Sequence, residues 1–573
     1  TLQLGDASGD TLTFNGGLTT TSVGGTVTLN GEIESSNDAI VLGAVTLGSA
    51  TTIDTDASDT TGDITIGAVT GGSNSLTLST GDNVANTDIT ASGAISGVTT
   101  LTLADVGGTA TLSADVDVTT LTVGSTVANV ALNGDGSSVT NAVSFANDGT
   151  LQLGDATGDT LTFNGGLTTT SVGSTVTLNG TIASSNDAIV LGAVTLGSAT
   201  TIDTNASSNA GDITVAAITG GSNNLTLSTG DNVSGADITA SGAISGLGNL
   251  TLADVGGTAT FSANVAAAAL SADSTVANIS FTGGSNTFSA ASTLANDGTL
   301  TFGDATGDSF TFNGGLTTSS VGSTVTLNTS ISSSDDALTF GAITLGNNVT
   351  LDTNSTTTNR ADIAIGAVTG GSNTLTLTTE NNVTGADITA SGAISGVTTL
   401  TLASVGGTAT LSADVDVTTL SVDNTVANVA FTGNGSSVTN SFTPANDGTF
   451  VFGASGGTQT YNGGLTTTSV GSTVTLNGTI NASDDAITLG AVTLGSNTTV
   501  DTNAASSNTA DLTIAAVTGG SNTLTLSTEN NVANADITAS GAISGVTTLT
   551  LASVGGTATL SADVDVTTLS VDN

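Results

Sequence analysis

The sequence predicts an all-β protein, a parallel β-solenoid with about 25 residues per coil and about six coils in each long repeat. Three observations lead there: a long repeat of 149 or 150 residues, a shorter period near 25 nested inside it, and apolar residues that alternate with Thr, Ser and Asp.

The long repeat comes first. "TLQLGDASGDTLTFNGGLTTTSV" from Thr1 returns almost unchanged from Thr150, as "TLTFGDATGDSFTFNGGLTTSSV" from Thr299, and more loosely as "TFVFGASGGTQTYNGGLTTTSV" from Thr449. The chain therefore divides into repeats 1–149, 150–298, 299–448 and an incomplete 449–573. It reads as a mature or internal segment of a longer secreted chain.

The short period is carried by Asp38, Asp63 and Asp88, by Ile53, Leu78 and Leu103, and within a residue by Gly43, Gly67 and Gly93. Read at period two, "DITI", "SLTLST" and "TTLTLAD" put Ile or Leu on one face and Thr, Ser or Asp on the other. Turns such as "NGG" at 15–17 and "TGGSN" at 70–74 separate these short strands. No helical period longer than about two turns is present.

Each coil of a parallel solenoid climbs by one strand spacing, so residues one period apart stack. Ile53, Leu78 and Leu103 are expected to form an inner column, with about 23 coils in all along a stiff rod. Phe14, Phe163, Phe312 and Tyr461 recur with the long repeat and read as core fillers, with the Tyr461 hydroxyl free to reach solvent. The rival fold is a tandem of β-sandwich domains. Sandwich strands have no reason to repeat at 25 within a domain, and "ANDGTL" runs into the next repeat without a linker.

Composition narrows function. The chain carries 47 acidic residues against one basic residue, Arg360, for a net charge of −46, and has no His or Cys. Such a surface cannot hold phosphate backbones, which excludes nucleic acid as a partner. Nothing approaches 18 consecutive apolar residues, so no membrane insertion is expected. Disulfides and Lys–Asn cross-links are ruled out by the residues the chain lacks.

Coils such as "GSTVTLNGTI" and "SVGGTATLSADVDVTTLSV" resemble the repeat shafts of giant bacterial surface proteins, the filamentous-haemagglutinin-like and autotransporter adhesins and related filament or surface-layer proteins. The resemblance extends over the whole chain. It implies an extracellular stalk or fibre at the cell surface, without a catalytic centre and with no cofactor required.

Candidate chemistry is sparse. Many β-helix proteins cleave polysaccharides, but clustered carboxylates there work with Arg, Lys or a metal, and here only Arg360 in "TTTNRAD" is available. No catalytic residue is expected. Calcium takes oxygen ligands, and "DTDASDTTGD" places Asp54, Asp56, Asp59 and Asp63 in one turn, while "GDASGD" brings Asp6 and Asp10 close. Other copies lose these acids, as in "DTNASSNAGD" and "GASGGT", which favours diffuse binding of calcium or other divalent ions over a dedicated site.

"SADVDVTTL" sets Asp115 and Asp117 on one outward face, where they keep the surface soluble. In the second copy Asn264 and Ala266 replace them, and Ala266, Ala267, Ala268 and Ala269 form a candidate lateral contact. Outward Thr pairs, Thr11 with Thr13, Thr26 with Thr28 and Thr100 with Thr102, are similar to the ranks of ice-binding solenoids, though Asp63 and Asp88 interrupt them. Asn179, Asn232 and Asn481 open glycosylation sequons. The resulting expectation is a structural extracellular fibre, associating end to end or laterally, with an adhesin bearing a receptor- or ice-binding face as the alternative and an unidentified surface receptor or glycan as a further partner.

Overall fold

A computed structural model describes residues 1–58, 62–207, 211–356, 361–506 and 509–572. It is a parallel β-solenoid, all-β and without a helix among the described residues. The chain divides into two compact units, Thr1–Gly283 with Asn296–Gly298, and Gly284–Ala295 with Thr299–Asn573.

Each turn of the first unit has three faces. On the first face Leu2, Val27, Val45, Val69, Ile95 and Val116 stand in register. On the second, Leu12, Ile33, Ile53, Leu78, Leu103 and Val123 do so. Ile53, Leu78 and Leu103 thus form the inner column that their spacing predicts, all three fully buried. Burying a Leu or Ile side chain contributes roughly 1.5–3 kcal/mol, and every turn adds several.

The turns are shorter than the sequence period suggests. Registered steps run from 18 residues, Val27 to Val45, to 26, Val69 to Ile95, and the average turn is closer to 21 residues than to 25. The period of 25 holds from Ile53 to Leu78 to Leu103 and from Ile64 to Ile89. Other steps are tighter, 20 residues from Ile33 to Ile53 and again from Leu103 to Val123. The strand Val27–Ser35 rounds a corner without a loop because Gly31, at φ +69°, turns the backbone where its would-be Cβ meets the Asp10 carbonyl.

The long repeat, in consequence, does not fill a whole number of turns. The third face carries Leu18, Ile40, Ile64, Ile89, Ala110, Val130 and Leu151, six successive steps. Leu151 is the counterpart of Leu2, which sits on the first face. One repeat therefore advances six turns and two faces, and each surface motif reappears on another side of the stack. The second unit repeats the shift: Leu300 heads the column of Val325 and Ile343, whereas its counterpart Phe450 joins the column of Leu316, Leu338, Ile363, Ile388, Ala409 and Val429.

Polar groups are also laddered. At one corner of the first unit, buried hydroxyls serve backbone carbonyls: Thr55 Oγ1 donates to Gly62 O at 2.6 Å within its own corner, and Thr80 Oγ1 to Asp105 O of the next turn at 2.7 Å. A buried backbone acceptor left unmade would cost free energy, so Thr fits this inward corner better than Val.

Aromatic residues pack on one another in the core. Phe163 meets Phe145 edge-on at 6.2 Å, Phe312 stacks on Phe288 at 4.8 Å, and Tyr461 stacks on Phe442 at 5.7 Å. Phe14 is half-buried. The Tyr461 hydroxyl does not reach solvent; it donates to buried Gln459 Oε1 at 2.9 Å.

Candidate functional site

A polar groove recurs in both units at the same place in the repeat. In the strand Ile95–Ala104, Ser96 pairs with Asp117 but Val98 pairs with Val118, so Gly97 is one residue too many. This bulge needs the left-handed conformation, which Gly97 adopts at φ +67°. Gly97 lies against a groove of about 300 Å³ that runs over four successive turns. Ser73, Thr99, Asp117, Thr119, Ser138 and Thr140 line it above a floor of Val98 and Val118. In the second unit Gly396 makes the same bulge, and Ser372, Thr398, Asp416, Thr418, Ser437 and Thr439 line about 390 Å³.

Asp416 is the charged group of its groove. Partial desolvation raises its carboxyl, the Asp414 carboxylate adds to this, and the Ser437 backbone N–H opposes it. Asp115, one outward position before Asp117, is engaged differently, since its Oδ1 accepts from Gly136 N at 3.0 Å.

The expected lateral contact falls on the second copy of this place. Within the strand Val265–Ala272, Ala266 is exposed, Ala268 and Ala269 are half-buried, and Ala267 turns into the core at 8% exposure. The outward apolar patch is thus narrower than four residues. Ala266 and Ala268 stand where Asp117 and Thr119 stand in the first copy.

The acidic candidates are dispersed. Asp10 Oδ2 accepts from the backbone N–H groups of Asp6, at 2.7 Å, and Ala7, at 3.1 Å, and these bonds hold its carboxyl below the usual range. It is a turn clip, repeated by Asp159 and Asp308. Asp54 is half-buried, and desolvation raises its carboxyl while the Asp56 backbone N–H, at 2.9 Å, pulls it down. Asp56 is exposed. Asp63 lies at the start of another face, its Oδ1 accepting from Asp88 N at 2.9 Å. Asp59 and Arg360 lie outside the described residues. Among the described residues no group of three or more acidic side chains is placed to hold a metal ion.

Two other sequence readings acquire positions. Thr100 and Thr102 stand in register with Thr120 and Thr122, but Thr11 and Thr13 face Glu32 and Glu34, whose carboxylates accept their hydroxyl protons at 3.1 and 3.0 Å. Asp63 and Asp88 interrupt the ranks of the third face rather than those of Thr100. Of the sequon residues, Asn179 is buried and donates to Gly154 O at 2.9 Å, so its amide is occupied in the folded chain.

Sequence reasoning missed the groove. Its signal was present in "ISGVTTL", where Gly interrupts a strand pattern and marks a bulge. Compared with protein-family models, curated proteins and solved structures, the chain has no match.

Proposed function

We propose that the chain is a structural element of an extracellular fibre or stalk at a cell surface. The observation that supports this reading is the use to which its surface acids are put. Asp63, Asp88, Asp115 and Asp10 each accept backbone N–H groups, and Asp63, Asp88 and Asp115 do so from the following turn. They reinforce the ladder instead of converging on a reacting centre. Together with unbroken inner columns in each unit, this makes a scaffold whose length is set by the number of turns. The remaining negative charge keeps neighbouring chains apart and gathers divalent counterions.

The deciding experiment is electron cryo-microscopy of the native material, combined with surface labelling of intact cells by an antibody raised to the chain. Filaments with an axial spacing near 4.8 Å, labelled on unbroken cells, are the expected result. Label appearing only after lysis would overturn the reading.

A further inference from the structure

We propose that the two bulge grooves are saccharide subsites, each taking two sugar units of a neutral glycan laid along the solenoid axis. This binding role is additional to the structural one and does not depend on it.

The grooves are built features. The same extra glycine, Gly97 or Gly396, lies in each one, and the same six polar positions line each one in separately compact units. Volumes of about 300 and 390 Å³ fall at the lower end of small-ligand sites. Four turns span roughly 14 Å, enough for two pyranose rings end to end.

The lining selects the ligand class. Ser138 and Ser437 Oγ accept from Asn164 and Asn462 Nδ2 and keep their protons to donate, while Thr398 Oγ1 donates to Asn373 O and keeps its lone pairs. This mixed donor and acceptor capacity matches sugar hydroxyls and does not suit a fatty chain. The carboxylate of Asp117 or Asp416 accepts two hydroxyl protons from one vicinal diol, and such charge-assisted bonds are the stronger ones. Acidic sugars and nucleic acid are repelled by that carboxylate. A second copy of this chain is disfavoured because it too carries a charge of −46 and sets acid against acid.

The chain contains its own control. In the second repeat Ala266 and Ala268 remove the carboxylate and one hydroxyl within an intact strand, so the coil folds without them.

The test uses the full chain and saturation-transfer NMR with cellobiose, maltose and N,N′-diacetylchitobiose, alongside putrescine as an amine probe. The variant carries D117A, T119A, D416A and T418A together, with circular dichroism verifying that its β signal is unchanged. At least one disaccharide should show transfer to the native chain and bind about tenfold or more weakly to the variant. Absence of transfer from all three disaccharides, equal transfer in the variant, or putrescine displacing the sugar from the groove would each overturn the proposal.

Discussion

Tyr461 donates its phenol proton to Gln459 Oε1 at 2.9 Å, and Gln459 Nε2 donates to Phe431 O at 2.8 Å, all within the core of the second unit. The corresponding residues in the second repeat are Leu161 and Phe163. A polar pair has replaced an apolar pair, and each partner makes sense only with the other. Y461F should cost about 1–2 kcal/mol by leaving the Gln459 oxygen unpaired, whereas Q459L with Y461F should recover most of that loss. Chemical denaturation of the two single variants and the double variant gives the coupling directly.

The same pair gives a pH signature. Burial raises the Tyr461 phenol well above the ordinary tyrosine range. An acid raised on folding contributes stability that is fully present below its unfolded value near 10 and is lost as pH rises towards the folded value. Tyr461 is the chain's one Tyr and there is no Trp, so phenolate absorbance reports this site alone. Alkaline titration should show phenolate appearing together with loss of β structure; its appearance in a fully folded chain would refute the burial.

Asp352 and Asp501 pose a second titration. Desolvation raises both carboxyls, and nearby Glu380 and Glu529 raise them further, against the backbone N–H groups of Asn354 and Asn503. Glu380, Asn381 and Asn382 all adopt left-handed φ near +50°, as do Glu529, Asn530 and Asn531, a costly run for residues other than Gly. Raised carboxyls favour the folded loop below the unfolded value near 4 and lose that advantage as pH rises through the folded value. Hydrogen exchange around Glu380 and Glu529, corrected for intrinsic rates, should therefore slow on acidification. E380Q should slow it already at neutral pH, by no more than roughly 1 kcal/mol in opening free energy after screening.

Asp88 tests the acid ladder. Its Oδ1 accepts Thr109 N at 2.7 Å, as Asn129 Oδ1 accepts Thr150 N at 2.9 Å in a later turn. D88A should cost about 1 kcal/mol, and D88N should stay within a few tenths of the native chain because the acceptor survives. Both are measured at moderate salt, where relief of self-repulsion does not mask the lost bond. Equal stability of D88A and the native chain would show that the carboxylate serves solubility alone.

The columns were legible because a parallel ladder places like on like. Ile53, Leu78 and Leu103 declared their stacking through spacing, and the alternation of "DITI" declared which side faced inward. Corners were not legible. Whether a turn takes 18 residues or 26 depends on left-handed positions such as Gly31 and Asp56, which a periodic pattern averages away. Asp54 and Asp63 are close in sequence yet begin and end on different faces, so proximity along the chain suggested a cluster that the corner separates. The groove escaped for the same reason: Gly97 looks like any other turn glycine until its partners Asp117 and Val118 show the slipped register.

The shift of the long repeat by two faces is the least expected property and the easiest to test, since the chain has no Cys. Gln152 is the counterpart of Gln3, and Gln3 shares the first face with Ser96 and Ser138 by way of Thr28, Thr46, Thr70 and Asp117. Had each repeat filled whole turns, Gln152 would stand beside Ser138. Instead it registers with Ala131 on the third face. Pyrene attached at A131C and Q152C should give strong excimer emission, because the two sites are one strand spacing apart, about 4.8 Å. Pyrene at S138C and Q152C should give little. The reverse result would restore a whole number of turns per repeat, and with it a single face on which every copy of a surface motif lines up.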